Sequence, residues 1–332
     1  VLTSFVNYGA IANPNYADNM FGISDAYFCS NFWYRRTFVI PQEMRGQRVL
    51  LNFDGINWKA DVWLNGKKID RIEGAFTRST VDITPYINNG VNTMAVLIHK
   101  NAHPGSIKEK NHLNTDFNGG ILGADNPTFH ATTGWDWIST IRGRDIGIWN
   151  DVYLTSTASV TLSDPVVSTH LDNLPDTLAC ITPRVIAHNW LNKDVSGTLK
   201  GWIGNLKFEK KLTLKAGEQC EVVFNPEQYP TLNDQRIRLW WPNGYGEPYL
   251  HEAGFEFVAD DKQNTTTNAR IGYKAGIREV RYADAKTQLK LYVNGKRLVP
   301  LGGNWGFSES NLNYRQREYD IAVRLHRDMN FN

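Results

Sequence analysis

The sequence is 332 residues long and carries 36 basic against 34 acidic side chains. A chain of this length suits two domains plus a remnant, and its balanced charge excludes a single-sign field that would recruit nucleic acid or an anionic membrane. No apolar run approaches the ~20 residues that span a bilayer.

Up to about residue 305 the hydrophobic period is two, with turn residues at the short intervals of an all-β chain. Val49, Leu51 and Phe53 share one face of a strand that ends at Asp54-Gly55. Val62 and Leu64 repeat the pattern, and Asn65-Gly66 supplies the positive-φ pair of a type I′ hairpin. Met94, Val96 and Ile98 form another alternating set. Many short strands with almost no helical periodicity predict β-sandwiches. The Thr/Ser-rich stretch Leu154–Ser163, after a predicted strand Trp149–Leu154, marks the first break.

A second sandwich is expected from there to about Gly276. Its strands include Ala179–Asn189, with Ile181, Val185 and Ala187 on one face, then Thr198–Ile203, Lys207–Leu214 and Gln219–Phe224. A length of ~120 residues is that of an immunoglobulin-like sandwich, and the polar run Asp260–Asn268 reads as its exposed hairpin loop. The three cysteines, Cys29, Cys180 and Cys220, are too few and scattered for a disulfide framework. Cys180 and Cys220 fall in one predicted domain and could pair, but buried free thiols are the expectation.

Residues 289–305 read as a hairpin followed by a short apolar, buried strand, Arg297–Leu301, which leaves through Gly302-Gly303-Asn304-Trp305. Residues 314–329 then predict an amphipathic helix with Ile321, Ala322, Leu325 and Met329 on one stripe. A strand followed by a helix opens an α/β domain. In a (β/α)₈ barrel the strand exits line the active site, which puts Asn304 and Trp305 forward as pocket-wall residues. Ordinary strand-end packing is the competing reading.

The 11 tryptophans and 14 tyrosines suit either a β core or stacking on the apolar faces of sugars. Their densest cluster is Gly134-Trp135-Asp136-Trp137, followed by Arg142-Gly143-Arg144-Asp145. On a strand, Trp135 and Trp137 would face away from Asp136. On a loop all three converge, and a carboxylate between aromatic walls suits a hydroxylated ring. His99, His103, His112 and His130 suggest a metal site, and His99 and His103 mimic a zinc spacing, but that spacing needs a helix and His103-Pro104-Gly105 is a turn, so no metal is expected. Asn264-Thr265-Thr266 would be a glycosylation acceptor only in a secretory host. No leader is visible at Val1, and a periplasmic or secreted location stays open.

Several segments together resemble the non-catalytic front half of glycoside hydrolase family 2. They are Tyr34-Arg35-Arg36-Thr37-Phe38, Asn52-Phe53-Asp54-Gly55-Ile56-Asn57-Trp58, Val62-Trp63-Leu64-Asn65-Gly66-Lys67 and Gly147-Ile148-Trp149-Asn150-Asp151-Val152. Further on come Leu239-Trp240-Trp241-Pro242-Asn243-Gly244-Tyr245-Gly246-Glu247-Pro248, Gly276-Ile277-Arg278-Glu279-Val280, and Val293-Asn294-Gly295-Lys296 through Gly302-Gly303-Asn304-Trp305. Each motif alone is moderate; the ordered set covers nearly the whole chain. Gly134-Trp135-Asp136-Trp137 looks like the signature of the branch with β-mannosidases, exo-β-D-glucosaminidases and mannosylglycoprotein endo-β-mannosidases.

The resemblance implies a jelly-roll-like sugar-binding β-sandwich over residues 1–157 and an immunoglobulin-like β-sandwich over 158–279. The first βα element of a truncated (β/α)₈ barrel would occupy 280–332. It also implies a retaining enzyme without a cofactor, acting on a β-linked oligosaccharide or polysaccharide of mannose or glucosamine. Trp135, Asp136 and Trp137 would shape the terminal-sugar subsite, with Arg144, Asn304 and Trp305 as further candidates. A homo-oligomer is compatible with it.

The sequence departs from the family in one respect. Retaining glycosidases need two carboxyl groups ~5–5.5 Å apart, and the family carries its acid/base in an Asn-Glu dipeptide, which occurs nowhere in these 332 residues. No catalytic residue is therefore expected in this chain, which would be inactive by itself. Two rival readings stand: a stand-alone carbohydrate-binding β-sandwich protein, and a β-galactosidase or β-glucuronidase of the same family.

Overall fold

The computed structural model describes residues 1–108, 119–121, 142–143, 145–172, 178–261, 269–283, 286–303 and 316–332. The protein is mainly β. It divides into two compact units, residues 1–156 and residues 157–303 with 316–332.

The first unit starts with a short helix, α1 (Leu2–Tyr8), followed by β1 (Phe32–Val39), β2 (Arg48–Phe53), β3 (Ile56–Asn57), β4 (Lys59–Leu64) and β5 (Lys67–Glu73). Then come β6 (Ser79–Asp82), β7 (Val91–Ile98), β8 (Ser106–Lys108), β9 (Gly119–Ile121), β10 (Gly147–Ile148) and β11 (Val152–Thr157). An antiparallel sheet in the order β1-β7-β4-β5 and a sheet in the order β11-β2-β6 share one core. Val49, Leu51 and Phe53 meet Ala60, Val62 and Leu64 with Met94, Val96 and Ile98 there, as period-two alternation requires. Strand β2 is buried on its second face as well, where Leu50 and Asn52 are also enclosed. The amide of Asn52 donates to Thr155 Oγ1 (2.9 Å) and accepts from Thr80 Oγ1 (3.0 Å), which makes its burial tolerable. The β4–β5 turn is Asn65 (φ 50) and Gly66 (φ 82), and the Asn65 side chain further accepts from Thr93 N at 2.9 Å. The strand predicted over Trp149–Leu154 starts only at Val152, as β11, while Trp149 covers Gly55 instead.

The second unit contains β12 (Val160–Asp172), β13 (Leu178–Asn189), β14 (Val195–Ile203), β15 (Leu206–Leu214), β16 (Gln219–Val223), β17 (His251–Ala259) and β18 (Ala269–Ala275). Sheets β12-β13-β16 and β15-β14-β17-β18 enclose a common core. Ile181, Val185 and Ala187 of β13 reach it from one side, and Leu199, Phe208, Phe255 and Phe257 from the other. The strand alternation that buries Ala179 and Ile181 turns Cys180 to the other face. Cys180 and Cys220 are half-buried, Cys29 is exposed, and all three are free, so the expected buried thiols are only partly enclosed.

A third sheet, β19 (Val280–Ala283), β20 (Lys290–Val293) and β21 (Lys296–Leu298), and the helix α2 (Gln316–Asp328) complete this unit. The run Leu239–Pro248 clasps both. Lys296 lies over the Trp241 ring at 5.0 Å, the Tyr245 hydroxyl accepts from Val299 N at 3.0 Å, and Asn243 Nδ2 donates to the carbonyls of Arg327 and Phe331, each at 3.0 Å. In the β20–β21 turn Asn294 (φ 48) donates to Trp240 O at 2.9 Å and accepts from Glu279 N at 3.0 Å. The expected buried strand Arg297–Leu301 is not formed: β21 ends at Leu298, and Val299 and Leu301 are 55% and 53% exposed. β20 pairs with Arg297 and Leu298, and among the described residues no strand pairs with the chain beyond them. For the same reason the Ile321, Leu325 and Met329 stripe of α2 faces solvent.

Candidate functional site

Trp135, Asp136, Trp137, Arg144, Asn304 and Trp305 all lie outside the described residues, as do His112 and His130. The parts of the first unit that border the Trp-Asp-Trp segment are described. On its amino-terminal side β8 pairs with β9, Ser106 opposite Ile121. On its carboxy-terminal side Arg142 Nη2 donates to Phe21 O at 3.4 Å, and Ile146 N donates to Gly143 O at 2.9 Å. Ile146 enters the core, and Gly147 and Ile148 pair with Asn57 and Ile56. The chain therefore leaves the segment already fixed in the sandwich.

An aromatic rim follows immediately. Trp149 lies across Gly55, where a side-chain Cβ would come within 2.4 Å of the indole Cε2. Its Nε1 donates to Ala75 O at 2.9 Å, and Phe76 meets it edge-on at 5.6 Å and 79°. Both rings keep much of their surface in solvent, 40% for Trp149 and 58% for Phe76. Beside Gly55, the Asp54 carboxylate accepts from the Tyr153 hydroxyl at 3.3 Å and lies 3.7 Å from Arg78. Loss of solvent around Tyr153, reinforced by the Asp54 charge, raises its phenol above the ordinary range, so it stays a donor. Two partly exposed rings next to a carboxylate, a phenol and a guanidinium suit a ligand that alternates C–H faces with hydroxyls. Asp54-Gly55 and Gly147–Val152 stand out as motifs in the sequence, whereas Phe76 and Tyr153 do not, since only long-range pairing brings them here.

The histidines separate. His99 Nε2 lies 3.1 Å from Asp61 Oδ2, on the outer face of the β1-β7-β4-β5 sheet. In the second unit Asp172, Cys180 and Asp234 have their ligand atoms within 4.8 Å of one another. There the Cys180 thiol donates toward Asp172 Oδ2 (3.3 Å) and Asn233 Oδ1 (3.1 Å). Desolvation raises its pKa, which keeps that proton in place.

Residues 1–150 match the family model described as glycosyl hydrolase 2 galactose-binding domain-like. The mannosylglycoprotein endo-beta-mannosidase of Lilium longiflorum is 30% identical over 358 residues, covering 100% of this chain and 35% of the relative. The exo-beta-D-glucosaminidase of Streptomyces avermitilis is 30% identical over 314 residues, covering 93% of this chain and 31% of the relative. The chain thus spans about a third of the length of these curated relatives. Among solved structures, the exo-chitosanase of Amycolatopsis orientalis superposes with a TM-score of 0.74 at 24% identity, over 100% of this chain and 35% of that one. A beta-D-mannosidase from Dictyoglomus thermophilum gives 0.72 at 19% identity, over 99% and 40%. These two likenesses establish the fold.

Proposed function

We propose that this chain, which carries the amino-terminal domain of glycoside hydrolase family 2 and is related to that family's mannosidase and glucosaminidase branch, forms the accessory domains and one pocket wall of a retaining β-glycosidase. The observation that carries the reading is the similarity to a lily endo-β-mannosidase and a Streptomyces exo-β-D-glucosaminidase, extending over 100% and 93% of the chain. Residues 1–157 are read as a jelly-roll-like sandwich, 158–279 as an immunoglobulin-like sandwich, and 280–332 as the first βα element of a barrel. The open stripe on α2 and the exposed Val299 and Leu301 support that last assignment, since an opening βα unit has neighbours still to receive.

The substrate is a β-linked mannoside or glucosaminide. Trp135 and Trp137 cover its apolar ring face and Asp136 accepts from its hydroxyl or ammonium groups, with Arg144, Asn304 and Trp305 completing the wall. The carboxyl pair that breaks the glycosidic bond is not among these residues. The full-length protein is expected to hydrolyse an aryl β-mannoside or β-glucosaminide, and the 332-residue stretch alone to hydrolyse neither. Turnover by the full-length protein of only an aryl β-galactoside or β-glucuronide would refute the branch assignment. Turnover by the isolated stretch, lost on mutating one of its own carboxylates, would refute the accessory role.

A further inference from the structure

We propose that the outer face of the β1-β7-β4-β5 sheet is a second glycan-binding surface, on which Trp33 and Trp63 stack against the rings of a neutral β-linked polysaccharide. The choice of sugar rests on the function proposed above; the surface itself rests on geometry. Register puts Trp33, Leu97, Asp61 and Arg71 in one cross-strand row, and Arg35, Ala95, Trp63 and Lys68 in the next. Alternate residues of each strand enter the core, so these two rows look outward. The Trp33 and Trp63 ring centroids stand 5.0 Å apart at 50°, across the small Ala95. Trp33 is 60% exposed on an edge strand, so its ring is accessible to a ligand.

The surrounding groups indicate what covers it. Asp61 is nearly buried at the foot of the rings, with Lys68 Nζ at 2.7 Å and His99 Nε2 at 3.1 Å, and Lys68 also reaches over Trp63 at 5.7 Å. Lys59 and Arg71 both reach Glu73, at 3.4 and 3.9 Å. Each carboxylate of the face is thus held between two basic groups, and among the named cations Arg35 stands without a carboxylate beside it; one such cation is not the continuous basic track a polyanion needs. A protein partner calls for a continuous apolar centre depleted of charge, whereas here ion pairs stand directly beside two indoles. A pyranose ring matches that mixture at its own scale: the C–H face covers an indole, and the equatorial hydroxyls meet donors and acceptors already held in place, at little ordering cost.

Affinity electrophoresis of the full-length protein in native gels containing glucomannan tests this. Glucomannan should retard the wild type. Trp33→Ala and Trp63→Ala should each raise the apparent Kd about tenfold, while Trp33→Phe, which keeps a stacking face, should lose much less. Unchanged thermal melting of Trp33→Ala verifies that the loss is one of contact. Retardation that survives both tryptophan variants but vanishes in Asp136→Ala would assign the binding to the pocket and overturn the inference. Absence of retardation would overturn it too, as would a tryptophan-dependent dimer without retardation. Tryptophan-dependent retardation in a protein that hydrolyses neither glycoside class would instead sustain this surface and refute the catalytic reading.

Discussion

Replacing Gly55 by alanine isolates a single contact. Gly55 has no positive φ, so alanine brings no backbone strain, and the whole effect comes from the new methyl group. That methyl would stand 2.4, 2.6 and 2.8 Å from Cε2, Nε1 and Cζ2 of Trp149. Carbon atoms rest at about 3.5–4.0 Å, so the indole must retreat by roughly 1 Å or more. The Nε1 bond to Ala75 O, now 2.9 Å, does not survive that shift, and the edge-on contact with Phe76 weakens. Overpacking costs about 1–3 kcal/mol and the hydrogen bond about 0.5–1.5 kcal/mol, so Gly55→Ala should lose about 2–4 kcal/mol in urea unfolding. With Trp149→Ala already present the three nearest contacts are gone, and the same substitution should cost less than about 0.5 kcal/mol. An equal loss in both backgrounds would refute the argument, as would no loss in either.

Three other substitutions probe the site and the core. In the full-length protein Asp136→Ala should lower kcat/KM by ~30-fold to ~1000-fold with little change in Tm; a clear fall in Tm with near-normal turnover would make Asp136 a core-strand residue instead. Burial by itself would raise the Asp61 carboxyl, but the bonds from Lys68 and His99 outweigh it and hold the pKa below its usual value. Its stabilising contribution is therefore complete above the unfolded pKa of about 3.9 and is lost as pH falls through the lower folded value. Asp61→Asn should accordingly flatten the acid limb of a stability-versus-pH curve, and an unchanged slope would contradict the pairing. Asn294→Ala should cost about 2–4 kcal/mol in thermal unfolding of the second unit, because Trp240 O and Glu279 N lose their partner. Asn294→Gly keeps the positive φ but not those bonds, so a full rescue by glycine would show that only backbone conformation matters there.

The strand pattern was legible because period-two burial is a local property. Ile181, Val185 and Ala187 had to share a face once β13 formed, and all three are fully buried. Asn65-Gly66 was legible for a similar reason: few dipeptides accept positive φ twice. Burial of Leu50 and Asn52 was not, since it depends on Thr80 and Thr155, which are distant in sequence. The clasp made by Asn243 and Asn294 was equally hidden, because an asparagine in a turn looks the same whether it bonds its own loop or another sheet. The residues proposed for the sugar pocket were found by motif and not by periodicity, and they lie outside the described residues, so kinetics on Asp136 must decide their role.

Tryptophan content alone could not distinguish core from ligand surface, but the environment of each ring does. Trp149 is pinned on Gly55 and hydrogen-bonded to Ala75. Trp240 lies under Arg278 at 4.7 Å, Trp241 under Lys296 at 5.0 Å, and Trp202 under Arg270 at 5.0 Å. Trp240, Trp241 and Trp202 each already have a cation against the ring, and displacing it for a ligand would forfeit an existing contact. Trp33 differs: among the described residues no cation lies over its ring, which is 60% exposed, while Lys68 lies over its neighbour Trp63 at 5.7 Å. An exposed indole beside ion-paired groups gains most from a partner that is apolar in one direction and hydroxylated in the others. That combination describes a sugar ring better than it describes a protein surface or a phosphate chain.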